Sequence, residues 1–206
     1  MRRQIMTITG PSCAGKTTLI NQLLKDKCFE IIKTDTTRKK RRGEDETEYN
    51  FISKKKFTEN KEEGLYAEFN EFAGEMYGTQ LQQIVDILDS GKTAVTIVDV
   101  NGAEYYKEIA HAVKATHIAV FVNESINVIT ERWVERIRNS KQESQILAAR
   151  LLNTLSVEQD WQNDMDIDFL FDVRRYAESE LVSALKRIGR GSISIGNIRN
   201  MFPKPP

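Results

Sequence analysis

The stretch Gly10-Pro11-Ser12-Cys13-Ala14-Gly15-Lys16-Thr17-Thr18 constrains this chain more than any other part of it. It fits G-x-x-x-x-G-K-[ST], the phosphate-binding loop of nucleoside triphosphate enzymes. Before it, Gln4-Ile5-Met6-Thr7-Ile8-Thr9 is short, apolar and rich in β-branched residues, as a buried strand is. After it, Leu19, Ile20, Leu23 and Leu24 have helical spacing. Strand, glycine loop and helix, in that order, are the context the motif needs. Glycines allow successive backbone N–H groups to converge on phosphate oxygens, and the helix N-terminus adds its positive dipole end. Lys16 is expected to reach the terminal phosphates and the Thr17 hydroxyl to ligate Mg²⁺.

Downstream, strand and helix signals alternate. A helix over about 15–26 leads to a strand over 29–34. Apolar strands follow at 93–100, 117–122 and 168–173, separated by helical stretches at 102–114 and 124–160, the latter interrupted near Asn139-Ser140. A helix with Leu81, Ile84, Val85 and Leu88 on one stripe stops at Gly91, and another closes at Gly189. The pattern predicts an α/β fold, a parallel five-stranded sheet with helices on both faces. A chain of 206 residues holds one such domain and a small insertion. The expected division is a core of residues 1–34 and 80–190, a β-rich insertion of 35–79, a helical lid at about 136–148, and a tail of 191–206 whose weak signals point to disorder or to packing on the surface or on a partner.

Lysine plus arginine and aspartate plus glutamate number 30 each, so no global field recruits nucleic acid or membrane. The basic run Arg38–Arg42 is answered by Glu44, Asp45 and Glu46, a poor footprint for nucleic acid because the acids cancel counterion release. Cys13 and Cys28 form neither a disulfide framework nor a zinc pattern. No apolar run approaches membrane-spanning length, and Met1-Arg2-Arg3 enters a strand without a signal-peptide core, so a cytoplasmic location is expected. His111 and His117 stand without sequence partners and read as structural or surface residues.

Thr36-Thr37-Arg38-Lys39-Lys40-Arg41-Arg42-Gly43-Glu44 resembles the guanylate kinase family's T-T-R-x-x-R-x-G-E. Tyr49-Asn50-Phe51, Glu68, Tyr77-Gly78-Thr79 and a strand ending in Asp99 with Gly102 close behind follow in family order, across about residues 4–185. The resemblance implies transfer of the γ-phosphoryl of MgATP to GMP or dGMP. It assigns the donor site to Gly10, Ser12, Cys13, Ala14, Gly15, Lys16, Thr17 and Thr18, with Arg132, Arg136 and Arg150 at the lid and Asp172 where the family has an asparagine near adenine. Arg138 is the alternative to Arg136. The acceptor site takes Arg38, Arg41, Tyr49 and Tyr77 for the phosphate, Glu68 for the guanine donors, Thr34 and Thr79 for O6, with Gly78 and Asp99 beside them. Paired arginines and tyrosine hydroxyls suit a dianionic phosphate, and a carboxylate suits the N1–H and 2-amino donors. Taken singly, Tyr49 and Tyr77 read as aromatic packing.

No protein nucleophile is needed, because the acceptor phosphate is already anionic. Positioning and charge neutralisation by Lys16, Arg41, Arg136, Arg150 and Mg²⁺ carry the expected catalysis. One departure stands out: where the family shows Asp-x-Asp, this chain has Ile97-Val98-Asp99. Mg²⁺ is then expected to rest on Thr17, the phosphates and water, with weaker affinity. The alternatives are a kinase of another (deoxy)nucleoside monophosphate or of a phosphorylated sugar, and a non-catalytic binding module, against which the intact Gly10, Gly15, Lys16 and Thr17 weigh. Expected partners are ATP and GMP or dGMP, with no nucleic acid and no membrane, in a monomer or homodimer.

Overall fold

The structure is a computed structural model and describes residues 3–40, 46–72, 74–139, 144–158, 160–164 and 166–202. Strand β1 (Gln4–Thr9) is buried along its whole length. It lies at the centre of a five-stranded sheet ordered β2-β7-β1-β8-β9, with β2 (Phe29–Ile31), β7 (Thr93–Ile97), β8 (Thr116–Asn123) and β9 (Phe169–Asp172). Every pairing in this sheet is parallel. Because successive side chains alternate across a strand, apolar runs serve two cores at once. Met6 and Ile8 join Val95, Val120 and Phe169 under α1 (Lys16–Leu23) and α8 (Glu178–Gly189), which contribute Leu19, Leu23, Leu181 and Leu185. On the other face Ile5 and Ala94 meet Ile84 and Leu88 of α3 (Leu81–Asp89) and Tyr106 and Ile109 of α4 (Val100–Ala112).

Two local expectations shift. In α3 the buried residues are Ile84, Ile87 and Leu88, while Leu81 is 42% exposed. The stripe therefore sits one position round from the expected one. The strand expected over 29–34 divides: Ile32 still donates its amide to Val95, but the Lys33 amide is captured by the Gln83 side chain. The chain then leaves the main sheet, and β3 (Thr34–Thr36) begins a second one.

That second sheet, ordered β4-β3-β6-β5, contains β4 (Tyr49–Phe51), β5 (Tyr66–Phe72) and β6 (Glu75–Gln80). β3 pairs with β4 in parallel and with β6 antiparallel, and β5 pairs with β6 antiparallel. It has little apolar core, so a buried carboxylate ties it together: Asp35 accepts from Asn50 at 3.0 Å, Tyr66 at 3.1 Å and Gln80 at 2.7 Å. Full pairing is the condition on which a charge survives burial. Helix α2 (Lys54–Glu62), capped by Ser53, adds Phe57, whose ring stacks on Tyr66 at 4.6 Å.

The helical region after β8 comprises α5 (Ile126–Asn139), α6 (Ser144–Asn153), a π-helical turn at Thr154–Glu158 and α7 (Trp161–Asp164). The expected interruption at Asn139-Ser140 abuts residues 140–143, which lie outside the described ones. Past α8, where sequence signals are weak, α9 (Ile195–Met201) is capped by Ser194 and buries Ile198. Phe202 packs on Phe169 and Tyr176. Among the described residues no helix is long and apolar enough to cross a membrane.

Candidate active site

The loop leaves β1 through Gly10, whose φ of +145° would place an added Cβ 2.5 Å from the Val122 carbonyl oxygen. Only glycine fits there. Gly15, at φ +100°, is the residue from which α1 starts. Lys16 bends back over the loop and donates to the carbonyls of Gly10 at 2.6 Å and Pro11 at 2.8 Å. Burial, with a smaller contribution from Arg136, lowers its pKa to about 8 against the opposing charges of Glu158, Cys13 and Glu48. The Ser12 amide donates to the Glu158 carboxylate at 2.6 Å, and Asn153 donates to the same carboxylate at 3.0 Å. Thr17 and Thr18 face outward on the first turn of α1, and Thr17 donates its hydroxyl proton to Glu48 at 2.9 Å. Ala14 is buried in the core, and the thiol-bearing Cys13 offers its carbonyl to Arg132 at 3.0 Å.

Arg132 also pairs with Glu124 at 3.4 Å. Arg136 of α5 and Arg150 of α6 both lie against the ring of Trp133, at 5.2 and 5.8 Å from its centroid. Trp133 itself is wholly buried, so one fixed indole holds arginines from two helices. Asp172, the residue expected near adenine, lies at the strand end. At the end of β9 it is buried and grips Arg174 through two 2.9 Å bonds, with Asn123 at 3.2 Å. Burial works to raise its pKa, but Arg174 and Asn123 outweigh that and hold it below the usual carboxylate value. Its oxygens serve the strand end.

The residues expected to bind the acceptor gather on and beside the second sheet. Glu68 of β5 accepts from the Thr79 hydroxyl of β6 at 2.8 Å, and Thr79 accepts from Tyr106 at 3.3 Å. Burial raises the Glu68 pKa, as does the Asp99 carboxylate, while the Thr79 bond works against them. Asp99 also caps α4, accepting from the Gly102 amide at 2.7 Å. Arg38 lies 4.9 Å over the Tyr49 ring, and Tyr49 meets Tyr77 edge-on at 6.4 Å. Thr34 opens β3 and donates its amide to the Glu48 carbonyl at 3.0 Å. Gly78 has a packing reason to lack a side chain, since a Cβ would stand 3.0 Å from the rings of Phe57 and Tyr66. Arg41 lies outside the described residues.

Comparison with known proteins decides the family. A profile described as guanylate kinase matches residues 2–168. The chain belongs to the guanylate kinase family. A guanylate kinase of Prochlorococcus marinus is 38% identical over 52% of this chain, and one of Bartonella henselae is 30% identical over 77% of this chain and 70% of its own length. The match to the Prochlorococcus relative spans 59% of that relative's length, and the match to a Clostridioides difficile one spans 52%. The crystal structure of guanylate kinase from Anaplasma phagocytophilum shares the fold, with a TM-score of 0.60 and 17% identity over 99% of this chain and 96% of that one.

Within this family member, two site residues carry no signal of their own in the sequence. Glu48 merely precedes the Tyr49-Asn50-Phe51 motif, and Glu158 sits in a π-helical turn far from the loop it touches. Among the described residues no three of His, Cys, Asp or Glu gather to hold a metal. The Thr17 hydroxyl and the Glu48 carboxylate that meets it nonetheless bring two oxygen ligands together beside the loop, the type that Mg²⁺ takes beside nucleotide phosphates. A separate cavity of 660 Å³, lined by Lys107, His117, Asp168 and Arg199, includes none of these residues.

Proposed function

We propose that this chain is a guanylate kinase, moving the γ-phosphoryl of ATP to the phosphate of GMP or dGMP to give ADP and GDP or dGDP. Family membership and the intact donor loop support the kinase half of this reading. One observation carries the acceptor half: the Glu68–Thr79 bond with Asp99 beside it. That arrangement offers a carboxylate for the guanine N1–H and 2-amino donors, and a hydroxyl that would donate to O6 by turning its proton away from Glu68. A purine bearing an acceptor at N1 or a donor at C6 would leave these groups mispaired.

In the proposed reaction the loop amides and Lys16 hold the donor phosphates, and Thr17 would hold Mg²⁺. When bound, that ion neutralises charge on the phosphates. Arg38, with Tyr49 and Tyr77, would bind the acceptor phosphate, and Arg41 joins them by family resemblance. Arg136 and Arg150, braced on Trp133, would carry positive charge to the transferring group. Lys16 must exchange its bonds to Gly10 and Pro11 for phosphate oxygens. Water exclusion would follow from closure of the acceptor sheet and helices α5 and α6 over both substrates.

A coupled ADP-release assay with ATP and a panel of nucleoside monophosphates tests the reading. GMP and dGMP are expected to be consumed, with AMP, CMP and UMP left behind. Turnover of another monophosphate with GMP inert would overturn the substrate assignment.

A further inference from the structure

In phosphate-loop phosphotransferases the loop hydroxyl that ligates Mg²⁺ is accompanied by a carboxylate at the end of a neighbouring strand. Here the strand beside β1 is β7, in register with Ile8 opposite Ile97. Its last residue is that isoleucine, packed against the core. Asp99, two residues on, is engaged by the Gly102 amide at the cap of α4 and stands beside Glu68. The neighbouring strand thus ends on an alkyl side chain rather than a carboxylate.

The carboxylate that does meet the loop hydroxyl comes from the bend that leads into β4 of the second sheet. Thr17 donates to Glu48 at 2.9 Å, and the Glu48 charge is felt at Lys16, whose pKa it works to raise. Glu48 is placed by its backbone, since its carbonyl accepts the Thr34 amide and Tyr49 follows it into β4. A threonine hydroxyl has one proton and two lone pairs. With the proton committed to Glu48, the lone pairs are left for a cation, beside which Glu48 would place a negative charge. We propose that Glu48 is the acid of the Mg²⁺ site, taking the part that Ile97 cannot play. The inference rests on the reading that MgATP fills this loop. It also puts the metal's acid at the entry to β4, so a single residue would join the donor metal to the acceptor sheet.

The test is calorimetric titration of ATP into the full chain, in EDTA and in saturating Mg²⁺, for wild type, Glu48→Gln, Glu48→Asp, Ile97→Asp and the double variant Glu48→Gln with Ile97→Asp. Thermal unfolding verifies that each is folded. In EDTA, Glu48→Gln is expected to bind ATP as tightly as wild type or more tightly, because a negative charge has gone from beside the phosphates. The tightening that Mg²⁺ produces is expected to shrink by about 10- to 100-fold, the usual effect of losing a group that orients a metal ligand. Glu48→Asp should fall between, and Ile97→Asp should restore part of the Mg²⁺ effect in the double variant. An unchanged Mg²⁺ effect in Glu48→Gln would overturn the assignment, as would an equal loss of ATP affinity with and without metal. Wild-type protein that binds no ATP in either condition would remove the MgATP reading and this assignment together.

Discussion

The Glu158 carboxylate lies 2.6 Å from the amide nitrogen of Ser12, so an anion from the chain's own π-helical turn already holds one N–H of the phosphate-binding loop. Asn153, a few residues earlier in α6, donates to the same carboxylate and steadies it. The arrangement braces the loop against the helices that follow β8. It also places a negative charge near Lys16, where it resists the loss of the ammonium proton. Replacing Glu158 by glutamine keeps the shape and removes the charge. A charge-assisted bond to a backbone amide contributes about 1.5–3 kcal/mol, so Glu158→Gln is expected to lower the unfolding midpoint measurably. The same change should lower the Lys16 pKa further. Thermal unfolding and a pH series of ATP binding check both effects.

Lys16 makes the donor site sensitive to alkaline pH. Burial depresses it from 10.5 to about 8, so in the free protein its charged form is penalised. That penalty on stability is fully present below about pH 8 and is relieved as pH rises toward the unfolded value of 10.5. ATP phosphates favour the ammonium, so binding has the opposite demand. Above about pH 8 ATP must bring a proton with it, and affinity should fall by about tenfold per pH unit until the pKa of the complex is reached. Titrations in buffers of different ionisation enthalpy should show proton uptake at alkaline pH and none from this group near neutrality.

Glu68 gives the acceptor site the reverse sensitivity. Its pKa is raised by burial and by Asp99, so its charged form is strained in the free protein and is lost above the ordinary glutamate range as pH falls. The fold itself gains stability from this group on acidification, while the proposed guanine recognition, which would need the carboxylate, is expected to weaken. Glu68→Gln presents an amide to guanine donors in place of a charge. The expected loss is about 1.5–3 kcal/mol, roughly 10- to 150-fold in kcat/KM for GMP. A rise in KM for ATP of the same size would contradict the assignment.

Two glycines with positive φ separate backbone strain from crowding. Gly10→Ala forces a Cβ into the Val122 carbonyl at 2.5 Å, in a conformation that L-residues avoid. The expected loss is about 2–5 kcal/mol with donor binding abolished, since the loop must move. Gly64→Ala, at φ +68° with nothing within 4 Å, carries only the left-handed penalty of about 1–2 kcal/mol. Denaturant unfolding of the pair checks the contrast.

The main sheet was legible because its signals are local. Each apolar run from Gln4 to Asp172 is buried on both faces, and a continuous run of this kind has few other places to go. The break at Lys33 was not legible, because it depends on Gln83 reaching across to take an amide out of the ladder. The buried face of α3 moved for a similar reason. Its periodicity allows neighbouring stripes, and the position of the sheet beneath chose Ile87 over Leu81.

The candidate site divides in the same way. Glycine spacing, Lys16 and Thr17 are contiguous, and their chemistry is intrinsic to a loop entering a helix, so the sequence by itself determined that this chain carries the phosphate-loop motif. The acceptor motif, read through its resemblance, supplied the candidates in the second sheet. Only the tertiary structure decided what the loop touches. Glu158 reaches Ser12, Glu48 reaches Thr17, and Asp172 spends its oxygens on Arg174 and Asn123. Carboxylates are common and carry no mark of their partners in a chain with 30 of them. Their protonation and their role come from burial and from the nearest charge, and both are set when distant segments pack together.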